Sequence, residues 1–219
     1  RKISADSVIP LQKGWPRRAG RWPQYPAVAD LDGDGKQEVI IADRSSPLGY
    51  LHVFRANGEY FSPDWPLSLG GPVCSPAVAD IDGDGSLDIV TVERNNLKSD
   101  YFPKGRVHVV NSAGSHLPGW PFMLDGTHGW INGVSIGDIN NDSKLNIITA
   151  TGSSGGGGDN DPNTKFYYKK IYVFNPDGTL LDGWPVDPDS GSTRNRVPRS
   201  PLVLVDLDGD GYTEILSGF

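Results

Sequence analysis

The sequence predicts an all-β fold built from a repeated four-stranded antiparallel unit, and three observations support this prediction. Gly and Pro contribute 28 and 18 of the 219 residues, a composition that disfavours long helices and coiled coils. A loop of alternating acids recurs, with its leading Asp at residues 30, 80, 138 and 206. Short β-branched segments lie between turn signals, and no stretch has the apolar periodicity of an amphipathic helix.

Each repeat contains four predicted strands, here named A to D. Strand A precedes the acidic loop, and strand B follows it, as at residues 39–42. Strand C, as at residues 51–54, ends at a hairpin signal such as Asn57-Gly58. Strand D carries a Trp-Pro marker, whose large ring is expected to cover the gap to the next repeat. The marker recurs at Trp15, Trp65, Trp120 and Trp184.

A four-stranded meander repeated every 50 to 68 residues is typical of β-propeller blades. The repeat units cover approximately residues 11–60, 61–115, 116–180 and 181–219, the last of them incomplete. The chain therefore holds about three complete blades and parts of others. Two interpretations remain open. The chain is part of a larger ring of about seven blades, which a second chain could complete, or residues 3–10 close a small ring of about four blades. Either way, residues 1–219 form a single β-propeller domain or part of one.

The acidic loops are predicted calcium sites. In the first loop, alternate positions carry Asp30, Asp32 and Asp34, and Glu38 closes the loop. Calcium takes about six to eight oxygen ligands, which three aspartates, a bidentate Glu38, the Lys36 carbonyl and water can supply. The loop is not an EF-hand, because its closing acid stands at the ninth position and strands flank it. The alternative is an Asx-rich turn without metal.

The pattern D-x-D-x-D-G-x-x-[DE] between two strands, with Pro-Ala-Val-Ala-Asp at its start, resembles the FG-GAP repeats of integrin alpha subunits and their microbial relatives. The resemblance extends over nearly the whole chain in four copies. It implies a calcium-stabilised propeller that usually acts outside the cell. It is less specific for function, because similar repeats occur in adhesion receptors, fungal lectins, polysaccharide lyases and appendages of secreted enzymes.

The resemblance assigns corresponding ligands to the other three loops. The second loop would use Asp80, Asp82, Asp84, Ser86 and Asp88, and the fourth would use Asp206, Asp208, Asp210, Tyr212 and Glu214. The third loop retains Asp138, Asn140, Asp142 and Lys144, but Ser143 replaces the turn glycine and Asn146 replaces the closing acid. Because it carries half the negative charge of the other loops, we expect three strong calcium sites and one weak site.

The charge of the chain is informative once the loops are considered. The net charge of −7 arises from 27 acids and 20 bases, which disfavours binding of nucleic acid through bulk charge. About half of the acids lie in the four loops, so calcium would leave the chain nearly neutral. No apolar run is long enough to span a membrane.

The strand order predicts a binding face opposite the ion loops. The B–C and D–A connections meet at that face and vary most between repeats, and variable loops on a rigid scaffold are where binding sites usually lie. The candidate ligand-binding residues are Tyr101, Phe102, His128, Trp130, Tyr167 and Tyr168. The alternative is that these rings fold their own loops.

We expect an extracellular or cell-surface module that binds a carbohydrate or an extracellular protein. The alternative is a polysaccharide lyase or the accessory domain of a secreted hydrolase, and a third interpretation is a structural spacer. No catalytic residue is predicted. His52 and His108 occupy equivalent places in strand C, which favours packing, and the G-x-S-x-G match at residues 152–156 has no helix after it. A binding module is therefore favoured over an enzyme.

Overall fold

The structure, a computed structural model, describes residues 12–45, 47–94, 105–124, 129–131, 133–153, 170–187 and 202–216. Within these ranges, every regular element is a β-strand and no helix occurs. The prediction of an all-β fold is therefore confirmed. Nothing in this part of the chain forms a helix long and apolar enough to cross a membrane.

The first two repeats each form a four-stranded antiparallel meander. The strands of the first sheet pair in chain order, as β1 (Ala27–Ala29), β2 (Glu38–Ala42), β3 (Tyr50–Phe54) and β4 (Leu67–Ser68). The second sheet repeats this order with β5 (Ala77–Ala79), β6 (Asp88–Glu93), β7 (Arg106–Val110) and β8 (Phe122–Met123). These strands correspond in order to the predicted strands A to D.

The third repeat keeps this order and differs in the length of its edge strands. Its strands A to C are β10 (Ser135–Gly137), β11 (Asn146–Ser153) and β12 (Lys170–Phe174). β9 (Gly129–Ile131) pairs with the last residues of β11, where the first two repeats have the bridges Pro23–Asp43 and Val73–Glu93. In the described residues, strand D is represented by the bridge between Ile171 and Val186, the equivalent of Leu51 with Leu67. The fourth repeat contributes β13 (Val203–Val205) and β14 (Glu214–Leu216), which pair with each other.

Strand B forms the centre of each complete sheet, and its apolar side chains are buried between neighbouring sheets. Ile40, Val90 and Ile148 have no exposed surface. Ile40 of the first sheet belongs to the same hydrophobic cluster as Ile89 of the second sheet. Val90 of the second sheet likewise clusters with Phe174 of the third. Successive sheets therefore pack face to face, and the first strands β1, β5, β10 and β13 contact one another in that order.

The Trp-Pro marker contacts the next sheet along the chain. The Trp15 indole N–H donates to the carbonyl of Ala56 at 2.9 Å. Trp65 donates to Ser112 at 3.1 Å, and Trp120 donates to Pro176 at 3.0 Å. Each acceptor lies in the turn between strands C and D of the sheet that follows the Trp. At these three positions, the marker therefore packs against the following sheet, as the sequence predicted.

Candidate functional site

The first acidic loop, between β1 and β2, brings three carboxylates together. Oxygens of Asp30, Asp32 and Glu38 lie within 4.8 Å of one another. Asp30 holds the loop closed, because it accepts the main-chain N–H groups of Asp34 at 3.0 Å and Gly35 at 2.8 Å. Gly35 has a φ of 82°, a conformation that glycine adopts readily. The loop is therefore shaped by hydrogen bonds between residues close in sequence.

Glu38 is the buried member of this group. It is 1% exposed and accepts the Leu31 N–H at 3.0 Å. Burial raises the pKa of the Glu38 carboxyl, because the ionised form loses hydration. The Arg55 guanidinium lies 2.9 Å from Asp32 and 4.0 Å from Glu38. The first loop thus has partial compensation from a protein side chain.

The second loop has the same geometry without that compensation. Oxygens of Asp80, Asp82 and Asp88 lie within 4.8 Å of one another. Asp88 is 3% exposed, and burial raises its pKa to about 6, although it accepts the Ile81 N–H at 3.1 Å. Among the residues that the structure describes, no Lys or Arg forms an ion pair with this loop. A bound cation would therefore neutralise the buried negative charge of Asp88, which no basic side chain balances.

The fourth loop brings its three aspartates together, without the closing acid, in a more exposed setting. Oxygens of Asp206, Asp208 and Asp210 lie within 4.8 Å of one another. Glu214 accepts the Leu207 N–H at 2.6 Å, as Glu38 and Asp88 do at the equivalent positions. Three loops therefore present carboxylate groups that fit a hard divalent cation, whose preferred ligands are oxygens.

The third loop keeps the backbone conformation but not the charge. Asn141 and Ser143 have positive φ values of 59° and 66°, so they take the conformations that glycines hold in the other loops. Asn146 is fully buried, accepts the Ile139 N–H at 3.1 Å and donates to the Phe174 carbonyl at 3.4 Å. Because the amide is bonded on both sides, it needs no cation. The weak affinity of this loop for calcium remains a prediction.

The four predicted main-chain ligands occupy one structural position. In each loop, the residue's N–H donates to the aspartate two residues earlier, at 2.7 to 2.9 Å. The four residues are Lys36, Ser86, Lys144 and Tyr212. Coordination by their carbonyl groups remains a prediction.

Most of the predicted ligand-binding aromatics lie outside the described residues. These are Tyr101, Phe102, His128, Tyr167 and Tyr168. Trp130 belongs to β9, where it is opposite Gly152 of β11. The assignment of this group to a binding face remains a prediction.

Sequence reasoning overlooked two aromatic residues on the connection that leads into β1. Trp22 is 57% exposed and Tyr25 is 85% exposed. Trp22-Pro23 is a fifth Trp-Pro pair, which lies outside the once-per-repeat spacing of the other four. This irregular position could have identified Trp22 from the sequence. At the corresponding positions, the second repeat has Pro72 and Ser75, and the third has Trp130 and Gly133, so the second repeat forms this connection without either ring.

Two histidines of strand C and the single cysteine, which are residue types that often act in catalysis, are buried in this fold. His52 and His108 are 5% and 2% exposed. Their Nδ1 atoms lie 3.1 Å from the Tyr60 hydroxyl and 2.8 Å from Nε2 of His116. The Cys74 thiol is buried, and burial raises its pKa to about 11, so it is a poor nucleophile at neutral pH. These contacts agree with the packing interpretation.

Comparison with known proteins relates this architecture to one repeat family. The family model described as "FG-GAP-like repeat" matches residues 17–91. One similar solved structure is that of the V. cholerae biofilm matrix protein Bap1, with 20% identity and a TM-score of 0.35 over 74% of this chain. The chain spans 28% of the length of that protein, and no curated protein matches the sequence. Residues 17–91 are therefore similar to the FG-GAP-like repeat, which is the family that the acidic motif predicted.

Proposed function

We propose that this chain is a calcium-stabilised β-propeller module, or part of one, that acts outside the cell in adhesion by binding a carbohydrate or a protein. The observation that carries the calcium proposal is Asp88. This carboxylate is 3% exposed and lies beside Asp80 and Asp82. No basic side chain in the described ranges pairs with it. A buried charge of this kind is costly unless a cation compensates it.

Calcium fits the ligands better than magnesium does. All the side-chain ligands are oxygens, and each loop can provide more of them than the few protein ligands that magnesium accepts alongside its waters. The first, second and fourth loops are the strong sites of the proposal, and the third is the weak site. A bound ion would contribute charge compensation and join strands A and B, so its role is structural. Calcium sites of extracellular modules operate at the high calcium concentrations found outside cells.

Three features support the propeller arrangement. The A strands contact one another in chain order, so they can line a common axis. Both faces of the second sheet contribute to clusters shared with the neighbouring sheets. The indoles of Trp15, Trp65 and Trp120 connect each repeat to the next. Both a larger ring, to which a second chain could contribute, and a small closed ring are compatible with these contacts.

The third loop offers a direct test of the ligand assignment. We expect Asn146→Asp to raise the calcium affinity of this loop about tenfold or more, because it restores the closing carboxylate. Without calcium, the variant should be less stable by about 1–3 kcal/mol, since the new carboxylate cannot donate to Phe174. Calorimetric titration with calcium and thermal melts would measure the two effects.

Asn57→Asp is the matched control for this test, because it adds the same charge at an exposed turn outside the loops. It should leave the calcium affinity of the third loop unchanged. If Asn146→Asp lowers stability equally with and without calcium, and no additional calcium binds, the ligand assignment is wrong.

The adhesion function can be tested with an array of extracellular glycans and matrix proteins, probed in calcium and in EDTA. We expect retention on one class of ligand in calcium, loss of retention in EDTA, and no release of unsaturated oligosaccharide. Product release would favour the lyase alternative. Absence of any retention in calcium would favour a structural spacer and contradict the proposal.

A further inference from the structure

An exposed group of aromatic and basic side chains lies on the connection that enters β1. We name Arg21, Trp22 and Tyr25 the Trp22 patch. Trp22 is 57% exposed and Tyr25 is 85% exposed. The Arg21 side chain is exposed, and its guanidinium carbon lies 5.4 Å from the centroid of the Trp22 ring, a cation–π distance. The patch therefore presents flat apolar surface beside a positive charge.

The backbone of the patch is fixed from below by the end of β2. The Trp22 N–H donates to a carboxylate oxygen of Asp43 at 3.2 Å, and the Trp22 carbonyl accepts the Arg44 N–H at 3.1 Å. Asp43 is 1% exposed and also accepts the N–H and hydroxyl of Ser45. A surface that is ordered before binding loses less conformational entropy when a ligand arrives. The backbone at Trp22 is thus held in place before a ligand binds.

The repeat shows that the fold does not require these side chains. The bridge from Pro23 to Asp43 has its equivalent in the bridge from Val73 to Glu93. The bond from Arg44 N–H to Trp22 likewise matches that from Arg94 N–H to Pro72. By this correspondence, the second repeat forms the same connection with Gly71, Pro72 and Ser75 in place of Arg21, Trp22 and Tyr25. The connection therefore forms without these side chains in the second repeat, whereas the third repeat carries Trp130 at the position of Trp22.

The charge of the residues around the Trp22 patch indicates which class of ligand it could bind. Residues 12–29 contain Lys13, Arg17, Arg18 and Arg21 and no acid. Asp43, beneath the patch, is buried and already bonded. The loops that hold much of the acidic charge connect strands A and B, whereas the Trp22 patch rests on the opposite end of β2. The patch is therefore complementary to an anionic ligand, despite the net charge of the chain.

We propose that the Trp22 patch binds an acidic sugar of an extracellular polysaccharide. The apolar face of the sugar ring packs on Trp22 and Tyr25, whose rings have an apolar body and a polar edge. The Arg21 guanidinium binds the carboxylate or sulfate group, to which its planar fork is suited. Nucleic acid is a poorer fit, because single-strand binding uses a row of stacking rings along a basic groove, whereas the cation–π contact of the patch is the single pair of Arg21 and Trp22. This inference rests on the proposed function and specifies a ligand class for it.

The test is calorimetric binding of the calcium-loaded chain to hexagalacturonate and to a chondroitin sulfate hexasaccharide, which distinguish carboxylate from sulfate recognition. Neutral maltohexaose and a single-stranded oligonucleotide are the comparison ligands. We expect one acidic oligosaccharide to bind more tightly than either comparison ligand. Trp22→Ala should weaken this binding about tenfold, and Tyr25→Ser by a smaller factor. Arg21→Gly should weaken it and reduce its dependence on salt.

Met123→Ala is the control. Met123 is an exposed apolar residue, 48% exposed, on another sheet. This variant should bind the oligosaccharide like the unmodified chain. The inference is overturned if neither acidic oligosaccharide binds, if the patch variants bind normally, or if the oligonucleotide binds more tightly. Array binding that is unaffected by Trp22→Ala would overturn this inference alone, whereas absence of all array binding would overturn the proposed function as well.

Discussion

Removal of calcium is expected to lower the melting temperature of this chain by about 15–30 °C. An ion that binds only the folded state at a hundredfold excess over its dissociation constant contributes about 2.7 kcal/mol, so three such ions contribute about 8 kcal/mol. In a domain of this size, each kcal/mol corresponds to about 2–4 °C. The effect is large because Glu38 and Asp88 are buried beside other carboxylates and repel them when no cation is present.

The measurement is a thermal melt in excess EDTA, followed by readdition of calcium. Readdition should restore the original transition, and magnesium should restore it less completely. Asp88→Asn provides an internal comparison, because the third loop carries Asn146 at the same position. This variant should fold and should lose only the share of stabilisation that the second loop contributes. A melting temperature that EDTA leaves unchanged would contradict the calcium proposal.

Trp120→Ala is expected to destabilise the chain by about 3–5 kcal/mol, which corresponds to a melting temperature about 6–20 °C lower. Trp120 is 7% exposed and contacts Phe174 edge-on, with 5.5 Å between ring centroids. Its indole N–H also donates to Pro176 at 3.0 Å. Truncation therefore opens a cavity between the second and third repeats and leaves the Pro176 carbonyl without this donor.

Two variants separate these contributions. Trp120→Phe keeps an aromatic ring near Phe174 but cannot donate, so it should retain part of the stability lost in Trp120→Ala. Trp22→Ala removes the same side chain from an exposed position and should change stability by no more than about 0.5 kcal/mol. Chemical denaturation followed by circular dichroism would measure all three variants. A Trp120→Ala variant as stable as Trp22→Ala would contradict the proposed packing role.

The acidic loops could be predicted because their geometry is local. In the first loop, all predicted ligands lie between Asp30 and Glu38, and the bonds from Asp34 and Gly35 to Asp30 close it without distant residues. The same locality made strand B predictable, since each one follows its loop directly. The sequence did not predict which basic side chains would balance the negative charge of these loops. Arg55 reaches Asp32 from the end of strand C, and no equivalent base pairs with the second loop in the described residues.

The sheet edges of the third repeat show what repeat spacing leaves undetermined. The spacing predicted strand D after Trp184, and Val186 pairs with Ile171 as Leu67 pairs with Leu51. It did not predict that β9 would form a three-residue strand where the first two repeats have single bridges, at Pro23 and Val73. Pairing at a sheet edge depends on which segment reaches the exposed strand, and repeat spacing does not specify this. Propensity therefore located the central strands better than the edge strands.

The exposure of the Trp-Pro pairs could not be predicted from the sequence. By itself, the sequence determined the repeated strands and the acidic loops, because both depend on residues within a few positions of one another. Trp65-Pro66 and Trp22-Pro23 are locally alike, yet Trp65 is 3% exposed and Trp22 is 57% exposed. Only the tertiary structure decided this difference. The turn at Ser112 covers Trp65 from the next repeat, whereas the contact with Asp43 holds the Trp22 backbone and leaves its ring in solvent.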